Sequence, residues 1–217
     1  APAAMILSIR LFDTAGHSGS RDVIQAIMYA TQRRKADSSI RVINMSLGSC
    51  GAYYTCPCDN DASYIIDLQA AISAAETEGI LSFVASGNEG QCGRIGAPAC
   101  TTSAISVAAS YDGNYESEVF EMDVDCNGVI DSSCQDYNPV PHWVTCFSNI
   151  DYCGFILAAP GYDINVGGYV HYHGTSMATP VVSGVAALMW SKNGCNTLSA
   201  QSVRNILFAN ADPYTWG

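Results

Sequence analysis

The sequence predicts an α/β fold, a mostly parallel sheet with helices on both faces. Three observations carry this. Continuous apolar runs of strand length recur at 40–46, 80–86, 104–110 and 155–161. Segments with helical spacing of apolar residues lie between and after them. A strand that is apolar along its whole length must be covered on both sides, which is the condition of a parallel sheet between helix layers. The chain has 217 residues, 48% apolar and 13% charged, enough for one domain with a full core and too apolar for a disordered tail.

The first element expected is a strand over Ala4–Phe12, where Met5, Ile6, Leu7, Ile9 and Leu11 are apolar and Arg10 is the only charge. A core strand so near the start predicts either an edge strand or one piece of a longer polypeptide. Residues 13–20 read as a loop. Ser20 is the candidate cap of a helix over 21–35, with Val23, Ile24, Ile27 and Met28 on one face. A strand at 40–46 ends in Gly48, and a loop with three cysteines follows. A helix over 63–78 turns Ile65, Ile66, Leu68, Ala71, Ile72 and Ala75 inward and stops at Gly79. Strands at 80–86 and 104–110 come next. Residues 111–146 are acidic, rich in Cys and Asn and without a clear period, so they read as an inserted loop region and not a second domain. A strand at 155–161, half a hairpin at 169–172, a long helix over 176–192 and a last helix over 198–210 complete the pattern. Sheets of this kind carry their chemistry at the carboxyl ends of the strands.

Charge and cysteine narrow the setting. Nine basic against twenty acidic residues give a net charge of −11, which argues against nucleic acid as a partner. No apolar run reaches the ~18 residues of a membrane-spanning helix. The ten cysteines are scattered, and the tight pair Cys56-Pro57-Cys58 has no second knuckle to complete a zinc site. An even set in an acidic, lysine-poor chain reads as disulfides made in an oxidising, extracellular compartment.

The strongest chemical signal is HGTSMATPVVSGVAALM at 173–189. Gly174 precedes Ser176, which opens a long apolar helix among small residues. A serine there sits in the positive end of the helix dipole, and the free N–H groups of the first turn can stabilise an oxyanion. GTSMATP resembles the nucleophile motif of the subtilisin-like serine proteases. VINMSLGS (42–49) resembles the segment with which that family pairs the substrate backbone, and FVASGNEG (83–90) its oxyanion-hole segment. IGAP (95–98), AISVAAS (104–110), FILAAPG (155–161) and APAAMILSIRLFD (1–13) match further. The likeness spans the chain except 50–62 and 111–146.

The resemblance implies a three-layer α/β/α fold and a set of roles. Ser176 is the nucleophile and Asn88 donates its side-chain amide to the oxyanion. Ser46, Leu47 and Gly48 pair with the substrate. Ala85, Ser86 and Gly87 form the other wall of the P1 pocket, and Gly96 lies at its base. Small residues there imply a wide pocket for a large apolar or aromatic side chain. Ser18 and Gly19 line the opposite side of the cleft, and Ala97-Pro98 matches an X-Pro bond that is typically cis in the family. Disulfide connectivity does not follow from sequence; nearness along the chain makes Cys92–Cys100 and Cys50 to Cys56 or Cys58 the candidate bridges.

Two parts of the family pattern are missing. The aspartate motif D-[ST]-G and the histidine motif H-G-T-H do not occur, and none of His17, His142, His171 and His173 matches the base. In the family both motifs precede the segment that resembles residues 1–13. The resemblance therefore implies that residues 1–217 are the C-terminal portion of a catalytic domain, with its sheet completed by an N-terminal chain that supplies Asp and His. The expected product is a secreted serine endopeptidase, made as a zymogen, that acts on peptide or protein substrates and has a propeptide or protein inhibitor as a further partner. The competing reading is an inactive pseudoprotease that binds peptides or a partner protein.

The insertion holds one more pattern. Asp123, Asp125, Asn127, the Val129 carbonyl and Asp131 follow the 1, 3, 5, 7, 9 spacing of a calcium loop, with Gly128 at the sharp turn. Position twelve is Cys134, so Asp136 or Glu121 would have to complete the shell, and a Cys126–Cys134 bridge would close the loop. Structural calcium is the expected cofactor.

Overall fold

The computed structural model describes residues 3–125, 127–152, 154, 156–168, 170–193 and 197–212. Helix α1 spans Ser20–Ala36, followed by strands β1 (Val42–Met45) and β2 (Tyr53–Tyr54) and helix α2 (Ser63–Thr77). Strands β3 (Leu81–Ala85), β4 (Ile95–Gly96) and β5 (Ala104–Ser110) come next. Strands β6 (Glu118–Met122), β7 (Ser132–Asp136), β8 (Ile156–Pro160), β9 (Ile164–Asn165) and β10 (His171–Tyr172) precede α3 (Thr175–Asn193) and α4 (Ala200–Asn210).

The central sheet has the order β1-β3-β5-β8 and every pairing in it is parallel. Strands β3 and β5 are buried at every residue, as their continuous apolar runs require. Side chains alternate between two cores. Val84 joins Val23 and Ile27 of α1 and Ile65, Leu68 and Ile72 of α2. Leu81, Phe83, Ile105 and Val107 meet Ala178, Val182, Ala186 and Trp190 of α3 and Val203 of α4. The result is three layers, helix–sheet–helix. Ala178 and Ala186 keep α3 close to the sheet, and α3 contacts all four strands.

Several elements differ from the expectation. Residues 4–12 form no strand, and Met5 and Ile6 are 89% and 90% exposed. An apolar run gives strand propensity but not a ladder partner, and without one the backbone groups stay with solvent. Leu11 nevertheless packs on the first core. Gly19 and not Ser20 is the N-cap of α1, so Ser20 is already helical. Of the half hairpin expected at 169–172, His171–Tyr172 form β10, paired antiparallel with β9, and residue 169 lies outside the described residues.

The insertion contains a hairpin that its sequence did not announce: β6 and β7 pair antiparallel from Glu118↔Asp136 to Met122↔Ser132. It is fastened at its base. The buried Asp136 accepts the Tyr111 hydroxyl (2.8 Å) and the Cys146 N–H (2.9 Å). Burial, with the Asp136 carboxylate beside it, pushes the Tyr111 hydroxyl well above its ordinary range. Tyr111, Tyr115, Tyr162, Phe120 and His173 stack edge to face or ring to ring around it.

The disulfides correct the expected pairing. Cys100 bonds Cys58, not Cys92, because the Cys58 N–H donates to the Cys100 carbonyl (3.0 Å) and holds the two Cα atoms 5.4 Å apart. Cys92 is an exposed free thiol. Cys134 bonds Cys146, which Asp136 draws alongside the hairpin, and so does not bridge to Cys126, which lies outside the described residues. Cys50 and Cys56 are disulfide-bonded too, and Cys58 is ruled out as the partner of Cys50.

Phe83 is fully buried between β3 and α3. Phe83→Ala is expected to lower the unfolding free energy by about 3–5 kcal/mol, read as a shift of the urea midpoint.

Candidate active site

The carboxyl ends of β1 and β3 and the N-terminus of α3 meet at one place. Strand β1 leads into Ser46, Leu47 and Gly48, β3 into Ser86, Gly87 and Asn88, and α3 opens with Thr175 and Ser176. Hydrogen bonds tie the three segments together.

The first tie involves the nucleophile candidate. Pro180 lies inside α3 and has no N–H to give to the carbonyl four residues earlier. That carbonyl belongs to Ser176, and the Ser46 hydroxyl donates to it instead (2.8 Å). The Ser176 hydroxyl in turn faces the Ser46 carbonyl at 3.5 Å. Asn44 continues the chain, donating to the Ser46 hydroxyl (3.1 Å) and accepting from Ser183 (3.1 Å), about two turns beyond Ser176 on the same face of α3.

The second tie involves Asn88. Its Oδ1 accepts the Thr175 N–H (2.8 Å) and the Thr175 hydroxyl (3.0 Å). The backbone donor fixes this atom as the oxygen, since a nitrogen there would face an N–H. Nδ2 is left as the unspent donor of an exposed side chain, with no protein partner among the described residues. The turn that carries Asn88 depends on Gly87 at φ +113, a conformation that side chains rarely adopt. Gly174, at φ +144, does the same for the entry to α3, where its N–H donates to the Gly161 carbonyl at the end of β8 (2.8 Å).

The remaining predicted residues fall into two groups. Gly48, Ala85 and Ala97 converge: a methyl on Gly48 would lie 3.8 Å from the Ala97 carbonyl oxygen and 4.0 Å from that of Ala85. Gly96 donates to the Ser86 carbonyl (3.2 Å), and Ser49 bridges to Ala97 in both directions (2.7 and 2.8 Å). The Ala97-Pro98 bond is cis. Ser18 and Gly19 stand apart from this network, at the entry of α1. Gly19 donates to Asp22 (3.4 Å), a local contact, and the buried Ser18 hydroxyl has no partner among the described residues.

No histidine hydrogen-bonds the Ser176 hydroxyl among the described residues. His17 is held through its backbone by the Asp13 carboxylate (2.9 Å), His171 pairs with Asp163 (2.7 Å), and the His173 ring stacks on Tyr162 with centroids 5.3 Å apart. His142 lies in the insertion with φ +71.

Asp123, Asp125 and Asp131 offer carboxylate oxygens within 4.8 Å of one another. Asp123 accepts the N–H groups of Asn127 (3.1 Å) and Gly128 (2.7 Å), which folds the loop back on itself. Asn127 Oδ1 is engaged by the Val129 N–H (2.8 Å), so of the predicted oxygen set the three aspartates are the ones gathered.

Thr175, Pro180, Glu89 and Asn149 were not singled out in the sequence. Thr175 and Pro180 lie in plain view within GTSMATP, and the i−4 rule could have pointed to Ser176 as a carbonyl needing an outside donor. Glu89 is half-buried against the Asn149 amide, and desolvation raises its carboxyl above the ordinary range. Asn149 has no local sequence signal.

The chain is 32% identical to Subtilisin DY of Bacillus licheniformis over 219 residues, covering 97% of this chain and 62% of that protein. Among solved structures it resembles Sphericase with a TM-score of 0.65 and 28% identity, covering 93% of this chain and 58% of that one. It also resembles the self-cleaved protease domain of PatA, with a TM-score of 0.62, 26% identity and coverage of 93% and 63%. The chain spans 40–41% of the length of the first four curated relatives that it matches. The sequence pattern of the subtilase family matches residues 1–215, and this chain belongs to that family of serine proteases.

Proposed function

We propose that this chain is the C-terminal portion of the catalytic domain of an extracellular serine endopeptidase, bearing its nucleophile, oxyanion donor and substrate-binding wall. In this reading the histidine base and its aspartate stand on an N-terminal segment outside these 217 residues. The observation that carries it is the double clamp of Thr175 on Asn88 Oδ1, which leaves the Nδ2 hydrogens unspent beside the first turn of α3. An amide fixed in this way is preorganised for developing negative charge and needs no reorientation during the reaction.

The chemistry follows. An extended peptide adds along Ser46–Gly48 as a strand. Its P1 side chain enters between Ala85–Gly87 and Gly48, with Gly96 beneath, and the small lining favours a large apolar or aromatic group. Ser176 Oγ attacks the scissile carbonyl and its proton passes to the companion histidine. The carbonyl oxygen becomes an oxyanion and takes hydrogen bonds from Asn88 Nδ2 and the Ser176 N–H. Collapse breaks the C–N bond, the histidine protonates the leaving amine, and water then hydrolyses the acyl-enzyme.

Two observations favour a companion segment. The rings of His171 and His173 are engaged by Asp163 and Tyr162, and no histidine among the described residues hydrogen-bonds the Ser176 hydroxyl, which favours a base supplied from outside. The apolar Met5, Ile6 and Leu7 are open to solvent, and the edge strand β1 of the sheet is only partly covered. The same segment would bury both. The PatA protease domain that this chain resembles is self-cleaved, so a relative of this fold can be cut. Disulfides at Cys58–Cys100 and Cys134–Cys146 support an extracellular setting, and no described helix is long and apolar enough to cross a membrane.

Calcium fits the insertion loop, since three carboxylates converge within reach of one hard cation. Asp123, Asp125 and Asp131 would hold it, with the Val129 carbonyl and Asn127 at the remaining positions of the pattern. The ion would neutralise a repelling cluster and pin a hairpin that has little core of its own.

In the full protein, a fluorophosphonate is expected to label Ser176, and Ser176→Ala to abolish both labelling and peptide hydrolysis. A protein that binds peptides yet resists the probe would be the pseudoprotease. Asn88→Ala is expected to lower kcat about 100- to 1000-fold with little change in KM, measured with a chromogenic peptide. Chelation is expected to lower the thermal midpoint, and Asp123→Ala to remove that response. An unchanged midpoint in the unsubstituted protein would rule the ion out.

A further inference from the structure

We infer that Asn149 is the positioning residue of the oxyanion donor: it sets the turn from which Asn88 projects, and so acts on catalysis through Asn88. The inference rests on the reading of Ser176 and Asn88 given above.

Asn149 is completely buried. Its Oδ1 accepts the backbone N–H groups of Glu89 (3.1 Å) and Gln91 (2.8 Å). Its Nδ2 donates to the Ser86 carbonyl (3.3 Å) and to Glu89 Oε2 (2.6 Å). These four bonds use the whole capacity of the amide. The Asn149 backbone adds two more, from its N–H to the Gly87 carbonyl (3.0 Å) and from the Ser86 hydroxyl to its carbonyl (2.7 Å). The partners stand on both sides of Asn88. Glu89 Oε2 also accepts the Asn88 N–H itself (3.0 Å), so the donor's own backbone is held one link from Asn149.

The fit is close. A β-carbon on Gly87 would lie 2.2 Å from Asn149 Nδ2, so the glycine and the amide occupy one another's space. Asn149 is firmly seated. Ser148 Oγ accepts the Ala109 N–H of β5 (3.0 Å), the Gly90 N–H donates to Phe147 (2.7 Å), and the Ile150 N–H donates to Gln91 (3.0 Å). Cys146, three residues earlier, is locked to Cys134. Asn88 is thus clamped at its tip by Thr175 and at its root by Asn149. A shift of about 1 Å at such a donor costs on the order of 100-fold in rate.

A double-mutant cycle in the full protein tests this, with rates per active site counted by fluorophosphonate titration at long times. Asn149→Ala is expected to lower kcat about 10- to 100-fold and leave KM within about threefold. In an Asn88→Ala background the same change is expected to cost less than about threefold, because the group it positions is gone. Asn149→Asp keeps the shape but sets an oxygen against the Ser86 carbonyl and the Glu89 carboxylate. Its loss is expected to match that of Asn149→Ala. In the Asn88→Ala background this change too is expected to cost less than about threefold. Undiminished loss in the Asn88→Ala background, or a loss in KM alone, overturns the inference. If Asn149→Ala does not fold, the same cycle with Asn149→Asp decides, and an undiminished loss in the Asn88→Ala background overturns the inference. An inactive unsubstituted protein defeats the underlying protease reading. An active one whose kcat ignores Asn149 defeats only this inference.

Discussion

The Asn88 carboxamide joins the end of β3 to the start of α3. Its oxygen is held by two donors of one residue, Thr175, whose N–H is a first-turn group that the helix cannot satisfy. The bond therefore caps α3 and orients the amide at once. Because α3 packs across all four strands, a shift of that helix would move Asn88, Ser176 and the Ser46 hydroxyl together. Core packing by Ala178, Val182, Ala186 and Trp190 thus sets the precision of the site from up to four turns away.

Pro180 shows how a helix breaker is used without breaking the helix. Its missing N–H frees the Ser176 carbonyl, and the cleft strand takes up that acceptor through Ser46. The backbone of Ser176 is then fixed from outside the helix. In the proposed function an extended peptide pairs with this same segment, Ser46 to Gly48, so that one support would align both substrate and nucleophile.

The acidic insertion serves the site indirectly. Its hairpin is anchored by Asp136 to Tyr111 and Cys146 and by the Cys134–Cys146 bond. The chain leaving that anchor runs straight into Ser148 and Asn149, which brace β5 and the turn at Gly87–Gln91. Met122 of β6 approaches Gly90 of the same turn, with its sulfur 3.2 Å from where a β-carbon would sit. A segment without its own core is in this way built into the wall of the cleft.

What was legible in the sequence was whatever depends on near neighbours along the chain. Apolar runs located the four strands of the sheet, helical spacing located the four helices to within a few residues, and the short motifs GTSMATP and SGN pointed to Ser176 and Asn88 as candidates. Contacts between distant segments were not legible. Residues 4–12 have the pattern of a strand but no ladder partner, the Cys58–Cys100 bond follows a cross-chain hydrogen bond, and Asn149 reaches the oxyanion turn across 58 to 63 residues of sequence. Propensity and periodicity are local quantities, whereas a ladder, a disulfide and a buried amide each need a second piece of chain whose position is set only when the layers pack.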